Sequence, residues 1–195
     1  MLYIFDMGGV VTNDADGSRV IGDMLGLGRE EFRKICMEDK DGRGDLLLNV
    51  SDGKITAKEF WKIFEERSGI HARTDWWHAL FHPQLNEGTA SIIKRLRKEG
   101  HRLVCGTNTM ESHYANHVER GDYALFDQTY ASFQMGVSKP DTEFWKIILI
   151  SEGCDAKDAV FIDDRKENCE AAASLGIKAI HFTSAEALEK ELENL

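Results

Sequence analysis

The sequence predicts an α/β fold, a parallel sheet interrupted once by a long helical insertion. Three observations carry this. The short β-prone apolar runs Leu2-Tyr3-Ile4-Phe5 and Ala159-Val160-Phe161-Ile162 have the character of buried parallel strands. From about Pro83 onward, such runs alternate with helical periodicity, the rhythm of right-handed βαβ crossovers. Between the first strand and that rhythm, residues from about Ser18 to Phe81 have a helical texture and hold no clear strand.

Taken in order, the first strand runs into a Gly8-Gly9 turn; Val10 and Val11 continue the apolar pattern, and Thr12-Asn13-Asp14 breaks it. Arg19–Leu25 and Arg29–Met37 have the spacing of short amphipathic helices. The Asp- and Gly-rich segment Asp39–Gly53 is expected to be loop. Thr56 followed by Glu59 fits a capping box that opens a helix through Phe60, Trp61, Phe64 and Arg67, and Ser68-Gly69 stops it. Trp76–Phe81 forms a further apolar helical patch. A helix over Ala90–Lys98 follows, with Ile92, Ile93 and Leu96 on one face and Gly100 as the stop. Then come a strand (Arg102–Cys105), a helix (about Glu111–Glu119), a strand (Thr129–Ser132) and a helix (about Thr142–Glu152). The strand Ala159–Ile162, a helix (about Glu167–Leu175), a strand (Lys178–Phe182) and a last helix from about Ala185 close the pattern. The boundaries expected are residues 1–13 with 84–195 as the α/β core, and 14–83 as a helical unit.

At 195 residues the chain can bury one substantial core with a small second lobe, and 42% apolar with 30% charged residues suits a globular protein. The net charge of −10 argues against a broad nucleic-acid or anionic-membrane surface, which would need clustered Lys and Arg. A single buried phosphate pocket needs only one or two cations and some backbone N–H groups, so it stays open. Cys36, Cys105, Cys154 and Cys169 show no CxxC pairing; packing thiols of a cytoplasmic protein are expected. The apolar start lacks a basic n-region and is broken by Asp6, so neither a signal peptide nor a membrane span is expected. A monomer or weak homodimer is expected.

Asp6 closes the first strand, and Asp163-Asp164 close a later one. Carboxylates at the carboxyl ends of parallel strands point into the crevice where open α/β sheets bind ligands. Three of them converging would repel one another unless a cation or proton sits among them, and hard oxygen ligands with room for water and phosphate suit Mg²⁺. Bland roles exist beside this one. Asp6 suits a turn, Asp163-Asp164 could cap the helix near Glu167, and Thr107 could cap the helix after it. Trp61, Trp76, Trp77 and Phe81 suit an apolar core better than a sugar-stacking platform.

Four segments now stand in order: Asp6-Met7-Gly8-Gly9-Val10, Thr107-Asn108, Ser138-Lys139-Pro140, and Asp163-Asp164 with Asn168 nearby. With the early helical insertion, they resemble the haloacid dehalogenase superfamily over essentially the whole chain. The resemblance implies a Rossmann-like parallel sheet core with a type-one helical cap, and is most similar to the sugar-phosphate phosphatases that include α-D-glucose-1-phosphate phosphatases. It implies Asp6 as nucleophile, Thr107 and Lys139 as catalytic groups, and Thr107, Asn108 and Lys139 as substrate-binding residues. It also implies Mg²⁺ held by Asp6, the Gly8 carbonyl and Asp163, with Asp164 completing the site through water. The implied reaction is hydrolysis of a small phosphorylated metabolite, a sugar 1-phosphate among the candidates, through an aspartyl-phosphate.

One position departs from that pattern. Most phosphatases of the superfamily carry a second Asp two residues after the nucleophile, and here that residue is Gly8. General acid–base help is typically worth ~10²–10⁴-fold, so its loss matters. His113 and Asp14 stand close enough to the motifs to be alternative proton donors, although a plain helix-face position for His113 and an exposed hinge for Asp14 are the simpler expectations. Two other readings stay open: a 2-haloacid dehalogenase, in which Asp6 attacks carbon and no metal is required, and a weakly catalytic ligand-binding relative. A receiver domain is excluded, because its acidic pair stands near the N-terminus and no insertion follows its first strand.

Overall fold

The computed structural model describes residues 1–13 and 15–193. Five strands form one parallel sheet: β1 (Leu2–Phe5), β2 (Arg102–Thr107), β3 (Gln128–Ala131), β4 (Ala159–Asp163) and β5 (Lys178–His181). Their order is β3-β2-β1-β4-β5, with Ile4 in register with Val104 on one side and Phe161 on the other. The chain builds outward from β1 in one direction through β2 and β3, then returns to the other side for β4 and β5. The switch point therefore lies between β1 and β4, the two strands that end in Asp6 and Asp163.

Between β1 and β2 lie α1 (Gly17–Met24), α2 (Gly28–Met37), α3 (Leu46–Ser51), α4 (Ala57–Ser68), α5 (Trp76–Ala79) and α6 (Glu87–Lys98). The others are α7 (Glu111–Arg120), α8 (Ser132–Met135), α9 (Glu143–Glu152), α10 (Lys166–Ser174) and α11 (Ala185–Leu192). Side chains alternate along a strand. Tyr3 and Phe5 accordingly pack with Ile92, Ile93 and Leu96 of α6 and Leu188 of α11. Leu2 and Ile4 pack on the opposite face, with Phe144, Trp145 and Ile148 of α9 and Ala172 of α10. Both faces are covered, which is why these strands are continuous apolar runs rather than alternating ones.

Helices α1 to α5 build an apolar cluster of their own around Phe32, Phe60, Phe64 and Trp77, to which the core segment adds Met110. Trp61 and Trp77 are buried in it, as the apolar-core reading of these aromatics expects. The capping box forms as the sequence predicts: Thr56 Oγ1 accepts the Glu59 N–H, and the Glu59 carboxylate accepts the Thr56 N–H.

The expected loop over Asp39–Gly53 needs correction, because α3 lies inside it. Asp45 caps this short helix by accepting from the N–H groups of Leu47 and Leu48. Leu46 and Val50 enter the apolar cluster, and the nearly buried Arg67 ties down the preceding turn through the carbonyls of Ile35, Cys36 and Gly44. Tertiary burial, not local propensity, makes the helix. Elsewhere the boundaries move less. Helix α6 starts at Glu87 because Asn86 caps it, and Ser132 opens α8 rather than ending β3.

The two connections to the helical insertion run side by side. The Asn13 N–H donates to the Gln84 carbonyl (2.9 Å), the Gln84 N–H to Asn13 Oδ1 (2.6 Å), and the Asn86 N–H to the Val11 carbonyl (2.8 Å). No helix of the described residues is long and apolar enough to cross a membrane.

Candidate active site

Residues from four segments meet over the carboxyl edge of the sheet. Asp6, Gly8, Thr107, Asn108, Lys139, Asp164, Arg165 and Asn168 line one cavity there. Asp6 follows β1 directly, and its N–H donates to the Ile162 carbonyl, so the sheet's own ladder fixes its backbone. The loop after it closes on itself: the N–H groups of Val11 and Thr12 both donate to the Met7 carbonyl. Gly9 has a left-handed φ of 81°, and a Cβ there would run into the Asp164 carboxylate. Gly8 needs no such freedom; its φ is ordinary, and a Cβ would meet open space.

Lys139 is buried beneath this loop, and its ammonium spends its three donors on Asp6 Oδ1 (2.8 Å), Asp163 Oδ2 (2.7 Å) and the Gly106 carbonyl (3.0 Å). The rings of Phe144 and Phe161 flank it at 5.7 and 5.4 Å. Burial works against its charge, yet Asp6 and Asp163 beside it hold its pKa above the ordinary lysine value. Burial pushes the Asp6 carboxyl up to about 6, with Asp163 adding repulsion and Lys139 opposing both.

Asp163 is fully buried and saturated with donors. Its Oδ1 accepts from the Arg165 N–H (2.8 Å) and Asn168 Nδ2 (3.0 Å), and its Oδ2 from Lys139 and from Asn168 Nδ2 (3.1 Å). Asp164 instead lines the cavity. Oxygens of Asp6, Asp163 and Asp164 lie within 4.8 Å of one another, a group able to hold a metal ion. Asn168 Oδ1 is buried in the same wall without a protein partner.

The residues expected from the sequence thus come together, though several act differently from their simplest reading. Asn108 reaches the cavity wall, but its amide is committed to the Lys139 backbone. Nδ2 donates to the Lys139 carbonyl and Oδ1 accepts the Lys139 N–H, both at 2.8 Å. Thr107 ends β2 and does not cap the next helix; Met110 occupies the N-cap of α7 without a side-chain bond. Asp164 does not cap α10 either, since Arg165 holds that position. His113 is absent from the cavity lining among the described residues. It stacks on Phe81 with centroids 3.8 Å apart, and burial pushes its pKa down to about 3. Asp14, the other alternative donor, lies outside the described residues. Arg165 lines the cavity without having been singled out; its place directly after the Asp pair was the available signal. The buried Cys36 thiol, pushed up to about 12 by burial, behaves as a packing group.

The family model for haloacid dehalogenase-like hydrolases matches residues 1–176. The chain is 25% identical over 193 residues to the D-ribitol-5-phosphate phosphatase of Bacteroides thetaiotaomicron, covering 90% of this chain and 88% of that one. It is 31% identical over 113 residues to the sesquiterpene phosphatase of Aspergillus oryzae, with 54% of each chain covered. A drimenol cyclase of Aspergillus calidoustus matches over 74 residues at 32% identity, 38% of this chain. The chain thus spans 14% and 54% of the length of these two fungal relatives. Among solved structures, an enzyme of the same family from Bacteroides thetaiotaomicron, in complex with magnesium and inorganic phosphate, superposes with a TM-score of 0.74. Identity is 25%, and 94% of each chain is covered.

Proposed function

The chain belongs to the haloacid dehalogenase-like hydrolases, and from that premise we propose that it is a Mg²⁺-dependent phosphatase of a small phosphorylated metabolite. The observation that carries this reading is three carboxylates with oxygens within 4.8 Å of one another at the sheet's switch point, two of them paired to the buried Lys139. That set carries excess negative charge and offers only hard oxygen donors, so its chemistry fits a divalent cation. The unpartnered Asn168 Oδ1 adds a further polar atom to the same wall. A carbon-attacking dehalogenase would have no use for the acidic pair.

Within the cluster we assign the cation to Asp6, the Gly8 carbonyl and Asp164, a revision of the resemblance-implied set, in which Asp163 binds directly and Asp164 through water. Asp163, its oxygens occupied by four hydrogen bonds from Lys139, the Arg165 N–H and Asn168, anchors Lys139 and Asn168 beside them. When bound, the cation neutralises charge on the phosphoryl group and the attacking carboxylate. The chain supplies the rest. Asp6 attacks phosphorus through one carboxylate oxygen while Lys139 holds the carboxyl group, and the phosphorus–ester oxygen bond breaks. Thr107 and Asn108 line the cavity, and the Thr107 hydroxyl would donate to a phosphoryl oxygen there. Water then hydrolyses the aspartyl-phosphate, returning Asp6 and releasing phosphate.

Gly8 narrows the substrate. With no acid at that position, the leaving oxygen must carry its own negative charge, which favours the more acidic hemiacetal oxygen of a sugar 1-phosphate over a primary alcohol. The insertion of residues 14–83 would serve as the cap that selects the leaving group. A screen of phosphate esters with Mg²⁺ and with EDTA tests the reading: turnover that needs Mg²⁺ and vanishes in Asp6→Asn supports it. Metal-independent turnover, or an Asp6→Asn variant as fast as the wild type, removes it.

A further inference from the structure

Three consecutive residues at the end of α3 and the turn after it each touch the core beside the cavity. The Ser51 carbonyl accepts from Ser132 Oγ (2.7 Å). The Asp52 carboxylate accepts from Ser138 Oγ. Gly53, at φ +67°, lies so close to the Phe133 carbonyl that any Cβ would overlap it. These contacts reach, directly or through one hydrogen bond, the two segments that carry Thr107 and Lys139. Ser132 Oγ accepts the N–H of Thr109, two residues beyond Thr107, and Ser138 directly precedes Lys139.

We propose that Asp52, carried by the helical insertion, is a positioning residue for Lys139, and that the 51–53 corner is a reversible foot that docks the insertion over the site. The inference rests on the phosphatase reading. Lys139 is then fixed from two sides: Asn108 clamps its backbone from the core, and Asp52 holds its neighbour Ser138 from the insertion. The buried ammonium at the end of that chain of contacts sets the placement of Asp6. An ångström of misplacement at a reacting group can cost about 10²-fold in rate.

Reversibility follows from the partners each group keeps when the foot lifts. The Ser132 hydroxyl has one proton, with the Ser51 carbonyl at 2.7 Å and the Thr109 carbonyl at 3.0 Å as competing acceptors. On undocking, the proton passes to Thr109 and no buried donor is orphaned. Asp52 likewise keeps Lys54, whose ammonium is 3.0 Å away, and gains water. Neither end therefore bears the penalty of an unsatisfied buried group.

The test compares wild type with Asp52→Ala, Ser138→Ala, their double variant, Asp52→Asn and Lys54→Ala, all full length and in Mg²⁺, with p-nitrophenyl phosphate as substrate. Asp52→Ala and Ser138→Ala should each lower kcat about tenfold with KM within about twofold, and the double variant should be no slower than either single one. Asp52→Asn, which keeps an acceptor oxygen, should recover most of the loss. Lys54→Ala should retain the wild-type kcat. Hydrogen exchange in 132–139 should quicken in Asp52→Ala and Ser138→Ala. Multiplying losses in the double variant, or unchanged kcat in Asp52→Ala, would overturn the positioning role. Should the wild type hydrolyse no ester at all, the phosphatase reading falls, and exchange still decides the docking: unchanged protection in Asp52→Ala would overturn the foot.

Discussion

At the scale of single residues, the site is a balance of charge that shows in pH dependence. Asp6 has its folded pKa raised to about 6 from an ordinary 3.8, so the metal-free protein favours its protonated form. That favourable contribution is complete below the unfolded value and is lost as pH rises through about 6. Asp6→Asn should therefore make the metal-free protein more stable at pH 7, by up to about 3 kcal/mol, with the gain vanishing near pH 4. Urea melts at the two pH values in EDTA check this; a variant less stable at pH 7 would contradict the cost of burying the Asp6 charge, to which Asp163 adds. Gly8 carries the second prediction. Its ordinary φ and the open space around it mean that Gly8→Asp should fold and should speed alkyl phosphate esters by about tenfold or more, and aryl esters much less. A wild-type rate that is flat across leaving-group acidity would mean that another group already donates the proton. The residues themselves were legible in the sequence because carboxylates after apolar strands, Thr107 and Lys139 stand in a fixed order. Their partners were not. Nothing in the spacing says that Asn108 spends its amide on the Lys139 backbone, or that Asp163 is saturated while Asp164 faces the cavity, since those facts depend on where distant segments meet.

At the scale of elements, strands and long helices were legible because both faces of the sheet are buried and the helices keep an apolar periodicity, with side-chain caps opening α4, α6 and α11. The failure over Asp39–Gly53 has a physical cause. A six-residue helix is too short to be stable by propensity, and α3 exists because Leu46 and Val50 find an apolar cluster built by α2 and α4. Helix α7 is a different case, a helix legible in the sequence whose packing partners the spacing could not show. His113 on α7 packs against Phe81 and edge-on to Trp77, with Nε2 buried and unpartnered and Gly17 nearby, while His117 and His78 add like-charge repulsion on acidification. With its folded pKa lowered to about 3 from 6.5, the unfolded chain takes the proton first. The contribution is intact above about 6.5 and drains as pH falls toward 3. His113→Phe keeps the ring stack without the proton site, so it should reduce the loss of stability between pH 7 and pH 5 by about 2 kcal/mol. Paired melts of wild type and variant at both pH values measure it, and parallel losses would show that the seam between α5 and α7 is not acid-sensitive.

At the scale of the molecule, the sheet order puts the switch point between β1 and β4, and the insertion leaves the core at Asn13 and returns at Gln84, where the two connections hydrogen-bond to each other. The sequence pattern pointed to a helical stretch between β1 and β2, which helices α1 to α6 occupy. It could not show that the ends are neighbours, nor that the 51–53 corner reaches back to the core, because both are contacts across long stretches of chain. Together they define a graft. Because the ends meet, residues 14–83 can be replaced by the helical insertion of a relative without reopening the sheet, and the apolar cluster within them travels with them apart from Met110. If cation and phosphoryl binding belong to the core, such a graft should leave the Mg²⁺ concentration for half-maximal activity within about threefold while reordering the preferred esters, since differential contacts with the leaving group set the ratio of kcat/KM values. A second graft that also lacks the Ser-Asp-Gly corner should keep the same Mg²⁺ dependence and the same new ranking, and lose kcat uniformly across esters, because the loss acts through Lys139 rather than through the leaving group. Ranking and kcat measured on one ester panel for both grafts separate selection from positioning. An unchanged ranking in the first graft would count against the insertion as selector, and an ester-dependent loss in the second would place the corner among the groups that touch substrate.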